Sequence, residues 1–475
     1  MWDVIVIGAG ISGCFIAHEL SKYECGVLLI DKESDVANES TMANSAIIHA
    51  GEDPEDGTLK AELNVKGSRM YEQICKDLKV AYRKTSAFVA ATNAEEVESL
   101  EKLQDRAKRR GIPSEMLGRE EAIAKEQQLS DQVIQVLELP TTAVIYPWEV
   151  ANALAEEAVI NGVEVHLSEE VLAIEKRSTE GFLIKTNHGE YTTRYVINAA
   201  GVFADRIAEM VMGKAPFQIT ARRGEYYVTD RLKKPFVSRV IYPVPSQVGK
   251  GILATPTVHG NLLMGPDSVL MEEKDDHGCT RQGLDHVRTG LSKTVKNPPF
   301  DKVIRNFAGL RASGNHGDFY IKEEENVEGF VQVACIDSPG LSSAPAIAKM
   351  VVEDMILRKC AYEKKKDWHH RRPPVVLREM TDQEKNELVK VDSRYGKIVC
   401  RCEQVTEGEI VDCINRPMGA KTVKGVKKRV RPGMGRCQGG FCEPLVVEIL
   451  ARELGVDQKE ICYDSPGSEL FLEEI

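Results

Sequence analysis

Asp3-Val-Ile-Val-Ile7 is an unbroken apolar run of strand length, and Ile11 to Lys22 behind it carries its apolar positions at helical spacing. Cys25-Gly-Val-Leu-Leu-Ile30 then reads as a second buried strand, so the chain opens as a strand–helix–strand unit. Trp148 to Asn161 and Phe203 to Met212 read as helices. Val163 to His166, Phe182 to Thr186 and Tyr195 to Asn198 read as strands, which makes the first half α/β. Between 215 and 335 the pattern changes: short strands such as Glu225 to Val228, Gly251 to Thr255 and Asn261 to Met264 are separated by Gly, Pro and His, as in a second, antiparallel domain. A helix from Ala344 to Arg358 closes this unit. The polar stretch from Glu363 to Arg394, with Lys-Lys-Lys-Asp-Trp-His-His-Arg-Arg-Pro-Pro, reads as an exposed linker to a separate module.

With 475 residues the chain has room for roughly three folding units, and 42% hydrophobic against 28% charged residues excludes disorder as the default. The net charge of -11 disfavours nucleic acid as the main partner. The longest apolar candidate, Val4 to Ala17, is broken by three glycines, so no membrane span is expected. No export signal is evident at Met-Trp-Asp, and the expected location is cytoplasmic. The local charge differs from the global one: Gly396 to Pro444 holds ten Lys/Arg and five Asp/Glu.

Gly8-Ala-Gly10-Ile-Ser-Gly13 follows a strand and opens a helix, and Asp31 ends the next strand 18 residues after Gly13. That context is the dinucleotide fingerprint. Gly8 allows the tight turn, Gly10 lets a pyrophosphate approach the main chain, and Gly13 lets helix and strand pack closely. The positive helix end, with Ile11 and Ser12, faces the diphosphate, while Asp31, beside Lys32, accepts from ribose hydroxyls. The fingerprint alone does not separate FAD from NAD.

Ser40-Thr-Met-Ala-Asn-Ser45-Ala-Ile-Ile-His49-Ala-Gly51, Asn198-Ala-Ala-Gly201-Val-Phe-Ala-Asp205 and Asp337-Ser-Pro-Gly340-Leu-Ser-Ser-Ala-Pro345 resemble, in order, the flavin-contacting segments of the D-amino-acid-oxidase-like superfamily. Residues 1 to about 360 are most similar to FAD-dependent glycerol-3-phosphate dehydrogenases and L-2-hydroxyglutarate oxidases; Gly57-Thr-Leu-Lys60-Ala-Glu-Leu-Asn and Phe307-Ala-Gly-Leu-Arg311 belong to the same pattern. The resemblance implies FAD. It also implies a Rossmann-like FAD-binding domain (about 1–80, 145–215 and 330–360) with an interleaved antiparallel-sheet substrate domain (about 81–144 and 216–329). By the same resemblance Thr41, Asn44 and Ser45 contact the flavin nucleotide, Asp205 and the Val171 backbone hold its adenosine half near Gly201, and Gly340, Leu341 and Ser342 hold the isoalloxazine end.

Cys400-Arg-Cys402 and Cys437-Gln-Gly-Gly-Phe-Cys442 are separated by 34 residues. Four thiolates on glycine-containing loops suit either [2Fe-2S] or zinc. Residues 396–450, after a linker at 361–395 and before a tail at 451–475, resemble the bacterioferritin-associated-ferredoxin-like domain, which implies a [2Fe-2S] cluster in a small helical module. Cys413 falls on a helix after Thr406 and is expected in the core. Lys421, Lys424, Lys427, Lys428, Arg429, Arg431 and Arg436 form a basic stretch between the cysteine pairs. It reads as a solvated face, or as positive charge that offsets the cluster and docks an acidic acceptor.

On the substrate side, Arg311 matches the arginine that binds the substrate anion in these relatives, and a guanidinium grips carboxylate or phosphate bidentately; a structural ion pair is its bland alternative. His49 and His259 are candidate bases, and Arg223 and Tyr226 candidate pocket residues. The pattern departs from glycerol-3-phosphate dehydrogenases at Glu52-Asp53 and at Pro339-Gly340-Leu341, where that family carries basic residues; here the chain looks more like 2-hydroxyglutarate oxidases. The expectation is an FAD-dependent dehydrogenase of a small anionic secondary alcohol, glycerol 3-phosphate first by architecture. Electrons would leave through [2Fe-2S] to a flavoprotein or iron–sulfur partner, through which peripheral membrane association is conceivable. A 2-hydroxy-acid dehydrogenase, an amine or amino-acid dehydrogenase, and a non-catalytic relay subunit are the alternatives.

Overall fold

The computed structural model describes residues 1–178, 180–245 and 251–471; positions 246–250 of the expected substrate domain and 472–475 of the expected tail lie outside them. Among the described residues no helix is long and apolar enough to cross a membrane.

The opening strand Trp2–Ile7 pairs in parallel with Val27–Ile30 on one side and Glu190–Asn198 on the other. Glu164–His166 and Phe330–Ala334 extend the parallel set outward. Phe182–Thr186, Val171–Lys176 and Tyr320–Glu323 join antiparallel to complete an eight-stranded sheet. Parallel strands covered on both faces need continuous rather than alternating apolarity, and Val4 to Ile7 and Val27 to Ile30 are all buried. The helices Ile11–Leu20, Leu59–Leu78, Pro147–Ile160 and Gly340–Lys349 stack over one face around a common core. The last of these starts at Gly340 rather than Ala344, directly behind Pro339, and runs on as a π-helical stretch, Met350–Ile356.

The second sheet has nine strands and pairs antiparallel, as expected, except at one seam. Val240–Pro243 lies parallel to Ala87–Ala91. At this seam the two chain segments that build the second sheet meet edge to edge, and a long crossover rather than a hairpin connects them. Its longest ladder joins Ile219–Thr229 to Val303–Gly314, antiparallel from Ile219↔Gly314 onward.

Three organisational expectations are refined. The stretch 363–372, mostly exposed as expected, is also tied down as a strap: Trp368 Nε1 donates to Ser21 Oγ (3.1 Å), Lys365 to Asn161 O, and Arg371 to Leu78 O (2.7 Å). Leu78 and Asn161 sit at helix C-termini, where unpaired carbonyls attract cations. Beyond the strap, Asp382–Val391 is a helix with a Thr381/Glu384 capping box. The tail belongs to the C-terminal module: the helix Glu443–Leu454 continues past 450, and Ile461 is buried in that module's core with Ile410, Val426, Val447 and Leu450. The basic stretch is split: Lys421 and Arg436 stay exposed as a solvated face, whereas Lys428 is buried and Arg429 largely so, both facing Asp35 of the first domain. Cys413 is in the module core.

A Cβ at Gly67 would lie 2.2 Å from Ser342 O. Alanine normally gains about 1 kcal/mol over glycine inside a helix; here Gly67→Ala should instead destabilise by about 1–3 kcal/mol through overpacking, read as a lower urea midpoint.

Candidate functional site

A cavity of about 950 Å³ runs along the C-terminal ends of the parallel strands, lined from Gly8, Asp31 and Gly201 at one end to Tyr226, Arg311 and Ser342 at the other. Ligands of open α/β sheets bind at such strand ends. Gly8 takes a φ of +103°, and a Cβ there would meet Ala199 O at 2.4 Å. Gly13 lies outside the lining but sets its shape, since a Cβ on it would fall 1.8 Å from Gly8 O. A Cβ on Gly10 would meet only Thr41 Oγ1, at 3.4 Å, and otherwise enter the cavity. Thr41 Oγ1 accepts from Ile11 N–H (2.9 Å). Asp31 accepts from the amides of Ala9 and Glu33; burial pushes its carboxyl up while both amides oppose the shift. Ile11, Ser12, Lys32 and Val171 also line this end, with Lys32 Nζ 4.2 Å from the centre of the Phe203 ring.

Asp205 is not in the lining. Its carboxylate accepts from Ile219 N–H (3.1 Å) and pairs with Lys274, so it ties the helix Ala204–Met212 to the second sheet.

At the other end Asn44, Ser45, His49, Gly340, Leu341 and Ser342 line the cavity. Asn44 Oδ1 accepts from Ala46 N–H (2.8 Å), His49 N–H donates to Ser342 Oγ (2.8 Å), and Tyr71 OH donates to Leu341 O (2.6 Å). Across from them the long antiparallel ladder supplies the wall. Arg222 is paired with Arg311, Gly224 with Gly309, and Tyr226 with Phe307. Arg222, Tyr226 and Arg311 line the cavity. Tyr226 stacks on Phe307 (4.6 Å between centroids) and its hydroxyl lies 3.1 Å from Ser45 Oγ. Arg311 donates to Asp267 O (2.8 Å) across Gly224, whose missing Cβ would sit 2.1 Å from the guanidinium.

Strand parity therefore excludes Arg223. It points to the opposite face, where it pairs with Asp276 (2.7 Å) and Glu225 (3.3 Å). Arg222 is the residue that sequence reading missed, although Tyr226 on the cavity face requires positions 222 and 224 there too. His259 is also outside the lining. It bonds Glu149 (3.1 Å) and Arg378 (3.0 Å) and lies against the Tyr146 ring, with burial holding its pKa down.

In the C-terminal module Cys400 and Cys442 are buried, whereas Cys402 is exposed and lies 3.7 Å, sulfur to sulfur, from Cys437. A hydrogen bond from Cys442, helped by the amides of Glu403, Gly433 and Cys402, draws the Cys400 thiol down against the opposing effect of burial. Glu403 joins three parts of the chain: its carboxylate accepts from Arg431 (2.9 Å), from Arg231 of the substrate domain (3.0 Å) and from Arg378 of the linker (3.3 Å).

The family described as FAD dependent oxidoreductase (DAO) matches residues 3–354. The chain belongs to that family. The BFD-like [2Fe-2S] binding domain matches residues 398–452. Glycerol 3-phosphate dehydrogenase of Caloramator mitchellensis is 48% identical, over 99% of this chain and 98% of its own. Glycerol 3-phosphate oxidase of Mycoplasma genitalium is 31% identical, over 77% of this chain and 97% of its own. The solved L-alpha-glycerophosphate oxidase of Mycoplasma pneumoniae with FAD bound superposes with a TM-score of 0.74 at 29% identity, covering 79% of this chain and 99% of that one.

The protein is thus an FAD-dependent oxidoreductase with a [2Fe-2S] domain, and its residues fit both groups. The space a Cβ on Gly10 would fill is the cradle a diphosphate needs, and Asp31, aimed by two amides, suits a ribose diol. Four soft sulfur donors, two of them 3.7 Å apart, suit a cluster iron pair.

Gly10→Val should fold, since little protein opposes the side chain, yet purify without the flavin absorbance band. Cys437→Ser should abolish the electron paramagnetic resonance signal of the reduced cluster and lower iron content while flavin content stays unchanged.

Proposed function

We propose that the protein oxidises glycerol 3-phosphate to dihydroxyacetone phosphate. The observation that carries this reading is the cross-strand pair Arg222–Arg311 on one cavity wall. Two guanidiniums opposite each other on one sheet face present paired forks to a dianionic phosphate. The rigid ladder beneath them, stiffened by Tyr226 on Phe307, fixes where that phosphate lies and so where the carbinol carbon lies.

His49, buried on the opposite wall, holds its ring against Tyr242 and takes the hydroxyl proton. Asn64, donating to His49 O (3.0 Å), and Ser342, accepting its amide, fix the His49 backbone. Tyr226 and Ser45, their hydroxyls 3.1 Å apart, line the same cavity. When bound, FAD supplies the acceptor for the hydride and [2Fe-2S] the one-electron outlet. The loss of one hydride and one proton converts the secondary alcohol to the ketone. The exposed Cys402 edge supports electron exit to a flavoprotein or iron–sulfur partner, with the enzyme in the cytoplasm and at most peripherally attached through that partner.

Glycerol 3-phosphate added without oxygen should bleach the flavin of the purified protein. Bleaching by L-2-hydroxyglutarate instead would transfer the reading to a 2-hydroxy acid, bleaching only by an amine or amino acid to an amine dehydrogenase, and bleaching by none of them would leave a relay subunit. Arg222→Gln and Arg311→Gln should each keep full flavin. Each should lose about 2–5 kcal/mol of anion binding, raising the half-saturating substrate concentration at least about thirtyfold. The Cys437→Ser protein should still be bleached by substrate but fail to reduce the natural acceptor.

A further inference from the structure

Between Ile30 and Ile47 the chain forms neither helix nor strand, yet this irregular segment carries much of the cofactor cavity: Asp31, Lys32 and the run from Glu39 to Ser45, apart from Met42, line it. Its inner side hangs on the fingerprint turn, with Ala37 N–H donating to Ala9 O (2.9 Å) and Ile11 N–H to Thr41 Oγ1. Ala37 takes a left-handed φ of +59° to do so. The outer side, residues 34–38, is gripped by the C-terminal module. Lys428, with no exposed side-chain surface, reaches Asp35 (3.0 Å), Val36 O (2.6 Å) and Asn38 Oδ1 (2.7 Å). Arg429 binds both Asp35 oxygens (2.6 and 2.9 Å). Asp464 accepts from Ser34 Oγ (2.9 Å) and Asn38 Nδ2 (2.8 Å) and pairs with Lys424.

A buried carboxylate without a cation is strongly unfavourable, and both cations facing Asp35 belong to the module. We propose that Lys428 and Arg429 are positioning residues for FAD. The [2Fe-2S] module acts as an outer brace that holds segment 31–45 in its nucleotide-binding shape, so flavin retention depends on residues that touch neither cofactor. The inference concerns the flavin site alone and stands whichever substrate the enzyme takes.

The test measures the FAD dissociation constant of the full chain by flavin fluorescence on release, with iron content and the cluster resonance signal recorded on the same samples. Lys428→Met keeps the buried stem and removes the charge-assisted bonds. It should weaken FAD binding about tenfold or more with cluster signal unchanged. Asn38→Ala, at a half-buried position where folding is safer, should weaken it in the same direction. Arg231→Gln loosens the module at Glu403 without touching residues 34–38, and should leave FAD binding within about twofold of the parent. A parental constant in Lys428→Met or, should that variant not fold, in Asn38→Ala overturns the proposal. Equal weakening by Arg231→Gln also overturns it, because the effect would then be general loosening.

Discussion

The close approach of Gly13 to the Gly8 carbonyl, which leaves no room for a Cβ, is the contact on which the cofactor site depends. It brings the helix Ile11–Leu20 down onto the first strand, so that the helix N-terminus and its amides open toward the cavity. Ala9, fixed in that turn, uses its amide to aim Asp31 and its carbonyl to catch Ala37. Ile11 anchors Thr41 in the same way. An otherwise irregular segment thus inherits its shape from one glycine-dependent contact and receives its outer support from another domain.

The same economy governs the charges. Arg371 and Lys365 cap helix C-termini, Lys428 and Arg429 neutralise Asp35, and Arg231, Arg378 and Arg431 converge on Glu403. Buried ions are tolerated when paired and hydrogen-bonded, and here the pairing runs between domains. Lys428 and Arg429 of the basic stretch are therefore spent on docking the module, and of its four paired cysteines Cys402 is left exposed, Cys437 half-buried, and Cys400 and Cys442 inside.

The sequence by itself determined what depends on local geometry and chemistry. The fingerprint turn, the two cysteine pairs and the cavity-wall positions Arg311, Tyr226, 44, 45, 49 and 340–342 were legible because each is named by spacing or by a short resembling segment. Their neighbours in space were not needed to recognise them. Tertiary structure decided the rest. Arg222 rather than Arg223 faces the cavity because the pleat alternates and the sheet chooses which face to bury. Asp205 and His259 lie off the cavity because Lys274 in one case, Glu149 and Arg378 in the other, are more than 40 residues away along the chain and meet them only on folding. Lys428 and Arg429 read as surface because sequence counts charges but does not show the Asp35 carboxylate, brought from 394 residues before Arg429, that makes burying them favourable.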